Sequence, residues 1–536
     1  MTEKKSPNAA NLFLKGTFIL TVAGLVVKVI GSLNWIILSR VLGGEGIGIY
    51  QMAFPLYLLA LSISSAGIPV AISIITAEKI ALQDYRGANG VFRLSLILLT
   101  FTGMALSLLL FFGAGWLIDH RIIRDARAYY SLIALSPAIF LVTILSSFRG
   151  YLQGWQTMTP TAISQIIEQL FRVATMLIFA AALLPRGLEY AAGGASLGAG
   201  VGALAALAVL VYYYWRLKIN TKHEQFSQGE SRYESRYEES SISIIRRITK
   251  LSIPISLSGI MLPLVANLDL LVVPVRLEDA GYSVEQATEL FGYLTGMAVP
   301  LVNLATILTA SLATSLVPAI SKAYSLGEKQ QILQRTAGAM RLANLTAVPF
   351  SVLLWILAEP ILSVVYHAPR AADITKVLAI GVFLLGIHQV TTGVLQGLGR
   401  TTIPVINMGV SAVAKVFLNW TLTAIPAFGI QGAAWATLAD IGLAAVLNLY
   451  FVYRFTGFHI DIGETLKYAV AAVVMGAVIY LSYNWLLLVT GNELFAMALA
   501  ILGGGVVYGG ILLATGGLNR RDIERIPLIG IFLKKS

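Results

Sequence analysis

Four polar side chains recur at turn-like spacing inside an apolar run after Pro160: Gln165, Glu168, Gln169 and Arg172. The pattern i, i+3, i+4, i+7 places them on one face of a helix. Glu168 and Arg172 stand in the acid-first i,i+4 order that favours an ion pair, so this pair can neutralise itself and serve packing alone. A second stripe runs in steps of four through Asn407, Ser411, Lys415 and Asn419. It contains no carboxylate, so the same account does not extend to Lys415. Lys28 is a third charge in an apolar run, with Gly24 and Gly31 on its face and Asn34 further along. Small residues beside a lysine suit close helix packing or a basic group open to a water-filled cavity. The lack of any acid in that run favours the cavity. Lys28, Arg172 and Lys415 outweigh Glu168, a balance that suits an anion such as a phosphate or pyrophosphate group. Asp269, close to Asn267, and Asp440 are candidates for a coupling cation or for balancing Lys28 or Lys415.

These charges matter because of where they sit. Apolar residues make up 57% of the chain and charged residues 12%, about half the roughly 25% of soluble domains. The bilayer is therefore the solvent, and a charge at its centre costs about 2.5–3.5 kcal/mol on insertion scales. Runs able to cross ~30 Å of hydrocarbon fall near residues 17–39, 48–76, 92–117, 129–149, 160–184, 190–215, 248–275, 288–318, 340–365, 374–397, 402–424, 430–454, 465–488 and 494–515. The fold class is an all-α polytopic membrane protein with about fourteen helices. The stretch from Ser283 to Ile320 is long and interrupted by Pro300 and Pro318, and the break near Arg400 is short. The first run is too long for a signal-peptide core and reads as a retained span. With a cytoplasmic N-terminus, about 27 of the 38 Lys and Arg fall on the cytoplasmic side, the expected bias. Both termini are then cytoplasmic, and the net charge of +11 reflects span flanks rather than nucleic-acid binding.

Short elements recur at long separation. Leu152-Gln153-Gly154 followed by Pro160 matches Leu395-Gln396-Gly397 followed by Pro404. Ile68-Pro69-Val70 is echoed by Val317-Pro318-Ala319, and Gly193-Gly194-Ala195 by Gly432-Ala433-Ala434. The organisation implied is an N-lobe over 1–215 with six spans, a polar cytoplasmic linker over 216–247, a C-lobe over 248–455 with six spans, and two further spans with a basic tail over 456–536. Six spans per repeat gives both lobes the same orientation, related by an axis along the membrane normal. Two such lobes flanking a central cleft suit alternating access.

Motifs for catalysis are missing. There is no P-loop, no H-E-x-x-H, no paired Cys/His cluster and no cysteine at all, so ATP, metal and thiol chemistry find no support. His120, His223, His367, His388 and His459 are scattered, and no G-x-S-x-G elbow with partners occurs. The chain reads as a non-enzyme with no cofactor.

Several segments carry a resemblance: Phe13-Leu14-Lys15-Gly16-Thr17, Gly43-Gly44-Glu45-Gly46-Ile47-Gly48, Gly67-Ile68-Pro69-Val70-Ala71, Arg149-Gly150-Tyr151-Leu152-Gln153-Gly154, Ser164-Gln165-Ile166-Ile167-Glu168-Gln169 with Arg172, and Glu189-Tyr190-Ala191-Ala192-Gly193. They resemble the sporulation stage V and polysaccharide biosynthesis protein family, the exporter branch of the multidrug/oligosaccharidyl-lipid/polysaccharide superfamily. The resemblance runs from about residue 11 through the twelfth span and is sharpest in the first half. It implies a flippase for an undecaprenyl-linked glycan, two six-helix lobes around a cationic cavity, and two added C-terminal helices with a lipid-facing groove. Lys28 falls where lipid II-flipping members carry a functional arginine. Asn34-Trp35 stands where those members carry an Arg-Asp pair, a departure that agrees with the sporulation branch.

The expectation is a flippase in the bacterial cytoplasmic membrane that moves a pyrophosphate-linked glycan, lipid II-like or a polysaccharide precursor, for cell-wall, spore-cortex or polysaccharide synthesis. Its partners are the lipid-linked oligosaccharide, membrane lipids and a glycan polymerase. Lys28, Asn34, Gln165, Glu168, Gln169, Arg172, Asn407, Ser411 and Lys415 would bind the cargo. One alternative is a drug/cation antiporter of the same superfamily, using Asp269 or Asp440. Another is a membrane-embedded glycan polymerase, with essential acids such as Glu278, Asp279 or Glu285 on outer loops.

Overall fold

The computed structural model describes residues 9–65, 67–227 and 240–518. Lys4 and Lys5, residues 228–239 of the polar linker, and the basic tail from Arg520 to Lys535 lie outside the described residues. The helices are α1 (Ala9–Ser65), α2 (Ile68–Ala81), α3 (Tyr85–Asp119), α4 (Tyr129–Gly154), α5 (Thr159–Leu183), α6 (Leu188–Ser227) and α7 (Ser241–Asp279). They continue as α8 (Val284–Gly292), α9 (Val299–Ala305), α10 (Ile307–Ser325), α11 (Lys329–Ile356), α12 (Ala358–Ile361) and α13 (Ala372–Gly397). The last four are α14 (Thr402–Leu422), α15 (Ile430–Thr456), α16 (Ile462–Thr490) and α17 (Glu493–Ala514). No strand occurs among the described residues.

Among the described residues, twelve helical stretches are long and apolar enough to cross a bilayer, or thirteen with one bent pair taken as a single span. The first of them, Val22–Ala81, runs through α1 into α2, and its part in α1 up to Ser65 alone has 44 residues, about 66 Å at 1.5 Å per residue. That is far beyond one crossing of ~30 Å. Gly43 breaks it, at φ 68° and ψ −176°, a conformation open to glycine and costly to a side chain. Counting both arms brings the crossings to fourteen, as the apolar runs suggest.

The interrupted stretch after Ser283 is a correction to the sequence reading. Its sharp bend, 57°, lies between Ala305 and Ile307, not at Pro300 or Pro318. Pro300 occupies the first turn of α9, where no amide donor is required, and a π-helical turn over Tyr293–Ala298 precedes it. Pro318 is carried inside α10. At the bend, Thr306 Oγ1 donates to the Asn303 carbonyl at 3.1 Å.

The chain forms two compact units, Met1–Leu271 and Val272–Ser536. Ile244 and Ile248 of α7 join the core of the first unit with Ile72, Phe92, Phe148 and Leu210, so this division falls beyond the polar segment 216–247. Phe92 anchors that core, its ring 4.7 Å from Tyr151 and 5.0 Å from both Phe148 and Tyr214. The second unit packs Ile320, Met340, Val390, Val394 and Val452 in the same manner. Outward faces are apolar: Leu488 is 87% exposed and Phe112 76%, as hydrocarbon contact requires.

The repeat is visible in the packing of each unit. A Cβ added to Gly150 would meet the Pro69 carbonyl at 2.6 Å, and one on Gly154 would meet Thr76 Cβ at 2.6 Å. In the second unit, Gly393 meets the Ala313 carbonyl at 2.7 Å and Gly397 meets Ile320 Cβ at 2.7 Å. Two glycines one turn apart thus seat α4 on α2 and α13 on α10, letting backbones approach closely. The glycines are offset by 243 positions and their partners by 244. Pro69 therefore corresponds to Ala313, and the apparent match of Pro69 with Pro318 is five positions out of register.

Candidate functional site

The rotation of α5 is set by a glycine stripe on α6. Gly194, Gly198 and Gly202 fall every fourth residue, and α5 lies directly on them. A Cβ on Gly198 would come 2.6 Å from the Arg172 carbonyl, and one on Gly202 2.5 Å from the Glu168 carbonyl. With that face of α5 committed to α6, the Glu168 side chain reaches α4.

There it meets a residue outside the expected stripe. Glu168 Oε2 accepts from Arg149 Nη2 at 2.8 Å, and Oε1 accepts from Arg172 Nη2 at 2.9 Å. Arg149 Nε also donates to Ser164 Oγ at 3.1 Å, which ties α4 to α5 a turn before Glu168. The side chains of Arg149, Glu168 and Arg172 keep 17%, 14% and 23% exposure. The cluster is two guanidiniums on one carboxylate, a net positive charge within membrane-spanning helices. Breaking a buried pair by removing one partner costs about 3–5 kcal/mol, so the three residues hold each other in place.

The other candidates in the first unit are placed differently. Lys28 is exposed on α1, and no ion-pair partner for it occurs among the described residues. One turn on, a Cβ at Gly31 would lie 3.3 Å from Gln169 Nε2, so α1 and α5 approach closely at this glycine. Asn34 is buried, its Nδ2 donating to Met176 Sδ at 3.6 Å, a contact between α1 and α5. Gln165 is half-buried. Asp269 is buried, and Asn267 donates to the carbonyls of Pro55 at 2.8 Å and Pro263 at 2.7 Å.

In the second unit the polar stripe of α14 turns inward. Asn407, Ser411, Lys415 and Asn419 are all buried, while Ile406, Val413 and Phe417 on the opposite side are more than 60% exposed. Asn407 Nδ2 donates to Asn448 Oδ1 at 2.8 Å, and Asn448 Nδ2 to Thr392 Oγ1 at 2.9 Å. Ser411 Oγ donates to Asp440 Oδ1 at 2.5 Å. Applying the 243-position offset pairs Arg149 with Thr392, Ser164 with Asn407, Glu168 with Ser411 and Arg172 with Lys415. The second unit keeps the positions as a mostly neutral ladder between α13, α14 and α15. The Arg–Glu–Arg arrangement belongs to the first unit.

Sequence reasoning missed Arg149. It ended the fourth span at that residue, whereas α4 continues to Gly154 and carries the guanidinium inside the helix. An arginine followed by Gly150 and Gly154 at close-packing spacing was the available signal. No group of three or more His, Cys, Asp or Glu able to hold a metal occurs among the described residues.

About fourteen crossings among the described residues, with a net-cationic cluster on apolar helices, define a polytopic membrane transport protein. The model for polysaccharide biosynthesis proteins matches residues 13–324, and the chain belongs to that family. Stage V sporulation protein B of Bacillus subtilis is 32% identical over 97% of this chain and 99% of its own length. The lipid II flippase MurJ of the same organism is 24% identical over 88% of this chain and 89% of its own. Among solved structures, the lipid II flippase MurJ in an inward closed conformation aligns with a TM-score of 0.68 at 17% identity, covering 92% of this chain and 98% of that one. An inward-facing multidrug resistance MATE transporter aligns with a TM-score of 0.65 at 16% identity, over 80% and 94%. These two establish a shared fold.

Proposed function

We propose that this protein is a flippase that moves an undecaprenyl-pyrophosphate-linked glycan across the bacterial cytoplasmic membrane by alternating access, with both termini in the cytoplasm. The observation that carries the reading is the Arg149–Glu168–Arg172 cluster. A surplus guanidinium on apolar helices is costly unless it meets an anion in the course of function, and forked arginines suit phosphate oxygens. The names of the relatives supply the cargo class: a lipid II flippase and a sporulation protein, each similar over most of the chain. Lys28, exposed on α1, serves as an outlying attractor for the same charge. A glycan polymerase acting on the delivered precursor is the partner this role implies.

The test is transport in proteoliposomes carrying a fluorescent lipid-linked glycan, read by accessibility to a membrane-impermeant quencher. Arg149→Ala and Arg172→Ala should each lose at least tenfold in rate while inserting normally. Wild-type rates in both variants would overturn the cationic-site reading.

A second reading is a cation-coupled drug antiporter. A MatE model matches residues 295–421, and Asp440, bonded to Ser411, with Asp269 would supply the coupling acids. Cation-dependent drug efflux lost in Asp440→Asn would favour it. The polymerase alternative has less support, since two of its acids have local roles: Asp279 pairs with Arg276 at 2.6 Å, and Glu285 accepts from Ser283 Oγ at 2.8 Å.

A further inference from the structure

We infer that Glu168 is a built-in substitute for the cargo's diphosphate: it occupies the arginine pair when the site is empty and must yield when the cargo arrives. The inference rests on the flippase reading and concerns the regulation of that same site.

Three observations carry it. First, Glu168 divides its two oxygens between the two guanidiniums, Oε1 on Arg172 and Oε2 on Arg149. A bridging phosphate would present the same face to the same donors. Second, all three side chains remain partly exposed, so the pair can be reached without unfolding the helix contacts. Third, the fold does not require a carboxylate at this position. Its counterpart in the second unit is Ser411, and α14 still packs there with the same polar spacing. On the repeated helix itself the carboxylate is present where the arginine pair is present and is a serine where Thr392 replaces Arg149; the acid beside that serine, Asp440, comes from α15 instead. Its role follows the guanidiniums, not the helix packing.

A resident anion solves two problems. It keeps two arginines neutralised enough to stay in a membrane segment while the site is empty. It also competes with the cargo, so that binding is weaker and release faster than two bare guanidiniums would allow. Glu168 is a positioning residue under this inference, since it sets the arginines and does not itself contact the diphosphate.

The experiment measures binding of geranylgeranyl diphosphate to the full-length protein in nanodiscs, alongside glycan-lipid flipping in proteoliposomes. Glu168→Gln keeps the shape and removes the charge. It should bind the diphosphate about tenfold more tightly than wild type and flip the glycan lipid more slowly at saturation. A purely structural Glu168 would give weaker binding and slower flipping together. Glu168→Asp, too short to span both arginines, should bind with intermediate affinity and covers the case in which the glutamine variant fails to fold. If Glu168→Gln binds no more tightly while Arg149→Ala and Arg172→Ala lose binding, the substitution idea falls and the flippase site stands. Wild-type binding in all four variants would remove both.

Discussion

The backbone amide of Gly67 donates to Ser256 Oγ at 3.0 Å, which brings the start of α2 against the first half of α7 within the first unit. A Cβ at Gly67 would lie 2.3 Å from the Ser252 carbonyl and 2.9 Å from the Ser256 nitrogen. These are backbone atoms that cannot turn aside. Arg247 pairs with Glu78 to one side of this contact, and Asn267 reaches the Pro55 carbonyl on the other.

Gly67→Ala should therefore separate the two helices and cost about 1–3 kcal/mol, the range for overpacking. Ser256→Ala loses one interhelical hydrogen bond, on average about 0.6 kcal/mol in a membrane setting. Thermal unfolding of the detergent-purified protein should show a clearly larger drop for the glycine variant. Equal drops would mean that the hydrogen bond, not the close approach, holds the seam.

Gly202→Val should damage the cationic cluster without touching a charge. Its side chain would meet the Glu168 carbonyl at 2.5 Å and Arg172 Cβ at 3.0 Å, pushing α5 off α6. Flipping should fall by at least tenfold. Gly200→Ala, where the nearest atom lies 4.0 Å away, should retain wild-type rates and serves as the control.

Asn448→Leu strands three partners in the second unit, because Asn407, Thr392 and His388 all bond to it. The expected cost is about 1–3 kcal/mol for the buried polar groups left behind. Asn407→Leu in the same chain removes one of those groups, so the double variant should be less destabilised than the sum of the singles. Strict additivity in the melting data would count against the ladder as a coupled unit.

Arg127 presents its fork to Asp125, with Nη2 to Oδ2 at 2.7 Å, and sends Nη1 to Glu45 at 2.6 Å. Asp125 is only 3% exposed, whereas the Glu45 side chain is 34% exposed. Arg127→Ala should therefore cost several times more than Glu45→Ala: about 3–5 kcal/mol if the buried partner dominates, against about 1 or less for an exposed pair. Comparable losses in chemical denaturation would show that the two acids share the arginine evenly.

Much of the fold was legible because hydrocarbon imposes length and period. Crossings read from apolar runs appear as helices, and the glycine spacing of the repeat appears as packing. What escaped depended on partners remote in sequence. Glu168 and Arg172 were visible as an i,i+4 pair, but Arg149 lies on another helix, 19 residues away, beyond any periodicity. The α14 stripe was found with its true spacing, yet spacing cannot say whether a polar face meets water or another helix. The neighbours Asn448 and Asp440 decide that. The proline match failed because the glycine contacts set the register, pairing Pro69 with Ala313 and leaving Pro318 five positions further along α10.

The inward polar edge of α14 has one more consequence. Hydrocarbon offers no directional preference, so an apolar helix could spin or slide among its neighbours at small cost. Asn407 and Ser411 are toothed into Asn448 and Asp440 at fixed heights along α15. Rotating α14 by one residue would swing amides into lipid, and sliding it by one turn would exchange partners, setting Ser411 at the height of Asn448 or Asn407 at that of Asp440. The ladder thus acts as a key cut along one edge. It fixes the face that α14 turns toward α13 and α15 within the second unit.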